Sequence, residues 1–173
     1  MSLDVYPYSE LKDYMMAKSY HRDLIRNCLS RCNESIKARG LEDYYTRQDT
    51  SISPVAVTGN GVYIQDSLSD YAICRNLYPN QIASSPETVR YVINRSESYI
   101  YRFTYDNGTK GYATNNRVVI KDVATGKIFF SKTYTSEPAT YITGYGVYND
   151  TYASPTEDTD EILSELGNII PLH

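Results

Sequence analysis

Hydrophobic and aromatic side chains alternate with polar ones between residues 89 and 134, which is the pattern of a β-sheet. The clearest stretch is Tyr99-Ile100-Tyr101-Arg102-Phe103-Thr104-Tyr105, in which an aromatic ring occupies every second position. Because successive side chains of a strand point to opposite faces, this spacing predicts that all four rings share one face. Asp106-Asn107-Gly108 follows directly, and an Asn-Gly pair supplies the positive φ angles of a tight hairpin turn.

The same alternation predicts strands at about 89–94, 98–105, 110–114, 116–122 and 127–134, with a short strand at 61–65 and one more within 135–152. The turn-rich segment 122–127 separates two apolar runs and predicts a second hairpin loop. We expect the sheet to bury six of its apolar side chains on at least one face. These are Tyr101, Phe103, Val118, Ile120, Ile128 and Phe130.

A period of three to four residues governs the first forty positions and predicts a helix over 9–39, with Ser9 as N-cap. Gly40 stands where a left-handed residue commonly ends a helix. Near the C-terminus, Ser154-Pro155-Thr156-Glu157 combines an N-cap, a first-turn proline and a glutamate three residues on, which predicts a helix over 155–166. Residues 67–77 form a further candidate helix that ends before Pro79.

Together these elements predict one α+β domain over residues 1–173. Its long N-terminal amphipathic helix packs on an antiparallel meander sheet of about 4–6 strands, and a short helix closes the chain. The order of elements resembles that of a pilin or pseudopilin head, and also that of cystatin-like and nuclear-transport-factor-2-like cones. The resemblance to a pilin implies a structural subunit of a pilus or secretion system, with the long helix as its oligomerisation element.

Composition narrows the class of protein. The chain has 173 residues, of which 41% are hydrophobic and 22% are charged, which is typical of a soluble globular domain. A net charge of −4 argues against a nucleic-acid partner, and no apolar run approaches the roughly 20 residues of a membrane span. Met1-Ser2-Leu3 is typical of a vector-derived start, which is compatible with a native start that carried an export signal or a membrane segment. The lysine-poor surface favours an exported bacterial protein over a cytoplasmic one.

Histidine and cysteine are scarce, which limits the possible chemistry. His21, Cys28 and Cys32 share one face of the predicted helix, and Cys74 could supply a fourth zinc ligand, but this spacing is not that of a known zinc motif and a helix face packed on a sheet explains it better. Cys74 with His21 as base is the most specific enzyme hypothesis. Paired carboxylates are an alternative set of catalytic groups, since such pairs can cleave glycosidic bonds. The candidates are Asp66 with Asp70 and the cluster Glu157-Asp158-Asp160-Glu161. The acidic cluster also fits the electrostatics of a helix start. No cofactor and no metal is predicted.

Nineteen tyrosines are the strongest functional signal. Rigid amphipathic rings among small residues are typical of contact surfaces, and such a loop can equally cover the end of a sheet. The sequence therefore predicts a non-catalytic binding or assembly module whose partner is a protein or a glycan. The alternatives are the pilin-like subunit and a small hydrolase using Cys74 with His21 or a carboxylate pair. The predicted contact residues, interleaved with glycines, are Tyr141, Tyr145, Tyr148 and Tyr152.

Overall fold

The computed structural model describes residues 8–65, 71–142 and 149–172. Short 3₁₀ turns at Pro79–Gln81 and Pro86–Thr88 lead into the longest strand. The helices in these ranges are α1 (Tyr8–Ala38), α2 (Glu42–Thr46), α3 (Tyr71–Cys74) and α4 (Thr159–Gly167). The strands are β1 (Gly61–Ile64), β2 (Val89–Thr104), β3 (Lys110–Asp122), β4 (Ile128–Ser136) and β5 (Thr151–Tyr152).

The sheet is mixed, with strand order β1-β2-β3-β4 and with β5 beside β3 beyond the end of β4. The β2–β3 and β3–β4 pairs are antiparallel, whereas β1 runs parallel to β2 and β5 runs parallel to β3. The α+β class is confirmed, but the purely antiparallel meander is wrong. Parallel pairing needs a long crossover, and the segment through α3 and the two 3₁₀ turns provides it between β1 and β2.

Strands β2 and β3 are each continuous, although the sequence predicted a break in both. Their ladder keeps one register from Tyr91 opposite Asp122 to Tyr101 opposite Tyr112. The polar residues that suggested breaks stay in the ladder because their side chains find partners elsewhere. Arg95 Nε and Nη2 donate to the Glu157 carboxylate at 2.6 and 2.7 Å, for example.

The two faces of the sheet contact different helices. On the helix-1 face, Tyr63 Oη donates to Asn33 Oδ1 at 3.0 Å, and Lys121 Nζ donates to main-chain carbonyls of Tyr44 and Arg47. On the helix-4 face, the ion pair between Arg95 and Glu157 ties β2 to the segment before α4. Residues of β2 and β3 near Ile93 and Ile120 are buried on both faces, whereas the side chains of the far half of β2 are exposed to solvent.

Helix α1 ends as the sequence predicts and is continuous past Ser19. Gly40 has φ of 65°, and the Leu41 N–H donates to the Ile36 carbonyl at 3.0 Å, which closes the last turn. Where side chains of α1 are described, the buried stripe begins at Ile25 and Tyr20 remains 67% exposed. The members of that stripe are Ile25, Leu29, Cys32 and Ile36.

Helix α4 begins later than predicted, at Thr159, and its N-cap is Asp158 rather than Ser154. Asp158 Oδ1 accepts from the Glu161 N–H at 3.0 Å. The predicted start at 155 is wrong because this segment is held extended along the sheet. Thr114 Oγ1 donates to the Ala153 carbonyl at 2.6 Å, and Asn116 Nδ2 donates to the Thr156 carbonyl at 3.0 Å.

The six side chains that the sequence predicts to be buried in the sheet differ in their exposure. Val118 and Ile120 are fully buried, but Tyr101 is 52% exposed, so its predicted burial is wrong. Phe103, Ile128 and Phe130 are half-buried. Tyr101 lies on the part of the β2–β3 ladder that extends beyond both helices, which a strand pattern alone does not reveal.

Substitution of Ile120 tests the burial that the structure assigns to this side chain. Replacing Ile120→Asp buries an unpaired carboxylate and should abolish the folding transition in urea, followed by circular dichroism. The matched Ile120→Val variant removes one methylene group and should cost about 1 kcal/mol of the free energy of unfolding. A folded Ile120→Asp protein of unchanged stability would contradict the assigned burial.

The position of the α4 cap is testable with two single substitutions. Asp158→Ala removes the acceptor of the Glu161 N–H and should lower the free energy of unfolding by about 1 kcal/mol. Ser154→Ala, at the cap predicted from the sequence, should leave it unchanged. Equal losses in thermal or urea unfolding would show that Asp158 is not the cap.

Candidate contact surface

Four tyrosines form one cluster on the helix-4 face of the extended β2–β3 ends. Ring centroids of Tyr99 and Tyr152 lie 4.7 Å apart edge to face, those of Tyr112 and Tyr152 lie 4.9 Å apart and stacked, and those of Tyr101 and Tyr112 lie 5.9 Å apart. These residues come from β2, β3 and β5, so three strands fix their relative positions. We call Tyr99, Tyr101, Tyr112 and Tyr152 the tyrosine platform.

The platform is ordered by its own contacts and yet faces solvent. Tyr99, Tyr101 and Tyr152 are 50–53% exposed, while Tyr112 at the centre is half-buried. Aromatic pairs in such geometries contribute about 0.5–1.5 kcal/mol each beyond area burial, so the rings hold one another in place. Clustered exposed aromatic area mostly serves contact with another molecule, in contrast to single exposed hydrophobic residues, which are common.

A β-bulge at Arg102 divides the aromatic run of β2 between the two faces. Tyr101 pairs with Tyr112. The next paired residue is Phe103, which lies opposite Gly111, so Arg102 is an extra residue on its strand. Gly111 and Tyr112 are neighbours on β3 and point to opposite faces. The prediction that all four rings share one face is therefore wrong.

Beyond the bulge, the remaining two rings cover Gly111 on the helix-1 face. A Cβ atom at Gly111 would lie 3.2 Å from ring carbons of both Phe103 and Tyr105, so the missing side chain makes room for them. Tyr105 Oη donates to the Ala139 carbonyl, which anchors the chain after β4. The hairpin turn is also looser than predicted, because only Gly108 has a positive φ, of 86°.

Hydroxyl groups at the edge of the platform already have partners. Tyr99 Oη donates to Glu97 Oε2 at 3.0 Å, and this hydrogen bond raises the pKa of the Tyr99 hydroxyl. The hydroxyls of Tyr101 and Thr104 lie 2.9 Å apart. The ring faces are therefore what the platform presents to a partner.

The tyrosine loop predicted from the sequence contributes one residue to this surface. Tyr152 is a member of the platform, and Tyr141 is 75% exposed. Tyr145 and Tyr148 lie outside the described residues. Sequence reasoning placed Tyr101 in the core and did not select it as a contact residue. A signal was present in the flanking residues, since Glu97 and Arg102 interrupt this strand with charges that a buried strand rarely carries.

The cysteine hypotheses receive no support from the geometry. None of the three cysteines forms a disulfide, and in the described part of the chain no three His, Cys, Asp or Glu side chains group as metal ligands. Cys32 and Cys74 have no exposed surface, so neither thiol can reach a substrate. Burial, with a smaller contribution from the Glu87 carboxylate, raises the pKa of the Cys32 thiol to about 12. Cys28 is half-buried on α1.

The acidic cluster at the start of α4 is structural. Glu157 pairs with Arg95, Asp158 caps the helix, and Glu161 accepts from Lys132 Nζ at 2.6 Å. Tyr134 Oη also donates to Glu161 at 2.8 Å. The alternative pair, Asp66 with Asp70, lies outside the described residues.

A cleft of about 610 Å³ lies where the loop before β1 meets the chain after α4. Its lining includes the half-buried ring of Tyr91 and the side chains of Asn60 and Asn80. Two further lining side chains, those of Gln81 and Thr88, already form hydrogen bonds within the protein. Gln81 bridges the Tyr78 N–H and the Pro171 carbonyl, and Thr88 Oγ1 donates to the Ser85 carbonyl. The cleft therefore offers few free polar groups, and the platform is the better candidate.

Comparison with known proteins identifies no relative: no family model, no curated protein and no solved structure matches the chain. Among the helices described, none is both long and apolar enough to span a bilayer. The contact surface must therefore be interpreted from its own chemistry.

Alkylation of the thiols tests the buried-cysteine geometry. In native protein at pH 8, iodoacetamide should modify Cys28 at least about tenfold faster than Cys32 or Cys74, because only thiolates with access to solvent react. Peptide mass spectrometry gives the three rates, and urea should equalise them. Rapid native modification of Cys74 would restore it as a candidate nucleophile.

Proposed function

We propose that this protein is a non-catalytic binding module whose tyrosine platform contacts another polypeptide. The observation that carries the proposal is the geometry of the platform, in which three strands hold four rings in a continuous row of contacts and three of the four rings are 50–53% exposed. Tyr141 is a further candidate contact because it is the most exposed large hydrophobic residue among those described.

Tyrosine suits this role for two physical reasons. Its ring supplies a large apolar contact area, and its hydroxyl tolerates water before the partner arrives. Its side chain has few rotatable bonds, so ordering it at an interface costs little conformational entropy. Ring contacts within the platform reduce that cost further, because Tyr112 and Tyr152 are already stacked.

Charge around the platform supports a polypeptide partner. The nearest charged side chains are of both signs, with Glu97 hydrogen-bonded to Tyr99 and Arg102 paired with Glu137 at 2.8 Å. Mixed and internally paired charge does not attract a polyanion such as a nucleic acid, and it does not penalise a neutral peptide. We also propose that the protein is exported from a bacterial cell, which its composition favours.

An assembly subunit is the second candidate function. One observation favours it: in the described part of the chain, β2 pairs with β1 only as far as Ile93, which leaves the outer edge of its far half open. Open strand edges are sites where sheets of separate molecules join.

Peptide display tests the binding function and requires no candidate partner. A random-peptide library on phage is panned against the protein, and the selected peptides are then titrated by calorimetry. We expect Tyr101→Ser/Tyr152→Ser to weaken their binding at least about tenfold, since aromatic residues dominate such interfaces.

The control for this experiment is Tyr20→Ser/Tyr78→Ser, which removes two exposed tyrosines outside the platform. It should bind the selected peptides like the unmodified protein. Selection of no peptide, or equal binding by the platform variant, would contradict the proposed function. Circular dichroism confirms that each double variant is folded.

A further inference from the structure

The outer edge of β2 is open along its far half. Strand β1 pairs with β2 only from Val89 to Ile93, and none of the other described strands lies on this side. The side chains of residues 96–102 are all exposed, including Ile100 at 40%. An exposed and regular strand edge presents unpaired main-chain donors and acceptors, which can pair with another strand.

Main-chain hydrogen bonding identifies which residues present donors and acceptors at this edge. The Arg90 carbonyl accepts from the Val123 N–H at 2.9 Å, and the ladder then keeps its register up to Tyr101. Antiparallel ladders alternate between residues that bond the neighbour and residues that point away. Even-numbered residues of β2 therefore bond β3, and odd-numbered residues face outward. Within the exposed stretch 96–102, the outward residues are Glu97, Tyr99 and Tyr101.

We propose that two copies of this chain pair through these edges as antiparallel strands, about a two-fold axis at Tyr99. An isologous contact needs a surface that complements itself, and three equally spaced outward residues centred on Tyr99 meet that condition. Tyr99 would bond Tyr99 of the second copy, and Glu97 would bond Tyr101 of the second copy in both directions. The geometry gives about six main-chain hydrogen bonds.

Side chains across this pairing are compatible on both faces. On the platform face the two Tyr99 rings adjoin, and each Glu97 lies opposite a Tyr101 whose hydroxyl can donate to it. On the other face Ser98 lies opposite Ile100 of the second copy, so no like charges meet. The bulge at Arg102 then turns each strand away from its partner, which limits the pairing to this stretch.

The same axis joins the two tyrosine platforms into one surface. A two-fold axis perpendicular to the sheet keeps equivalent faces on the same side, so both platforms face the same way. This inference goes beyond the proposed function because it requires no other partner.

Light scattering after size exclusion tests the dimer directly. The protein at about 100 µM should elute with twice the 19.7 kDa mass of the chain. Tyr99→Lys and Tyr99→Glu each place like charges opposite one another on the axis and should elute as monomers. An equimolar mixture of the two variants should restore the dimer. A monomeric unmodified protein, or a dimer that survives Tyr99→Lys, would overturn the proposal.

A second pair of variants separates main-chain pairing from side-chain contact. Tyr99→Pro removes an outward N–H while leaving the ladder with β3 intact, and should raise the dimer dissociation constant at least about tenfold. Tyr99→Ala keeps that donor and should have a smaller effect, and equal effects would overturn strand pairing. The peptide titration of Tyr101→Ser/Tyr152→Ser measures binding to another molecule, whereas light scattering measures dimerisation. Either proposal can therefore be contradicted while the other is supported.

Discussion

The ladder between β2 and β3 is the constraint on which the rest of the structure depends. Its register holds from Tyr91 opposite Asp122 to Tyr101 opposite Tyr112, so one alignment decides the face of every side chain in that stretch of both strands. At one end this alignment buries Ile93 and Ile120 on the helix-4 face, and Val92 and Lys121 on the helix-1 face. At the other end the same alignment directs tyrosines to an open face. Core and contact surface are thus two halves of a single structural element.

A buried lysine ties the chain after α2 to the covered half of the sheet. Lys121 has no exposed surface, and its Nζ donates to main-chain carbonyls of Tyr44 and Arg47, which holds the chain after α2 against the sheet. Burial lowers the pKa of Lys121, because removing an ammonium group from water disfavours its charged form. Just beyond, Gln48 Oε1 accepts from Ser96 Oγ at 3.1 Å. The covered half of the sheet therefore contains a buried cation whose cost is offset by hydrogen bonds to main-chain carbonyls.

Local signals predicted much of the fold. Gly40 and the apolar stripe ending at Ile36 were sufficient to define the end of α1, because helix termination depends on nearby residues. The parallel strands β1 and β5 could not be predicted in the same way, since their pairing depends on residues distant in sequence. The platform was only partly predictable: Tyr152 was identified, but the face of Phe103 depends on a bulge at Arg102. Nothing in the alternation of side chains marks that extra residue.

The turn at Gly108 has a consequence for the order in which the chain folds. This turn joins β2 to β3 with only five residues between the strands, so the loop-closure entropy for starting their ladder is small. Pairing of β1 with β2 must instead close the long crossover through α3, and β5 must find β3 across a still longer separation. We therefore expect the hairpin to be the folding nucleus and the parallel strands to dock late. The strand whose edge is open among the described residues is then among the first to form.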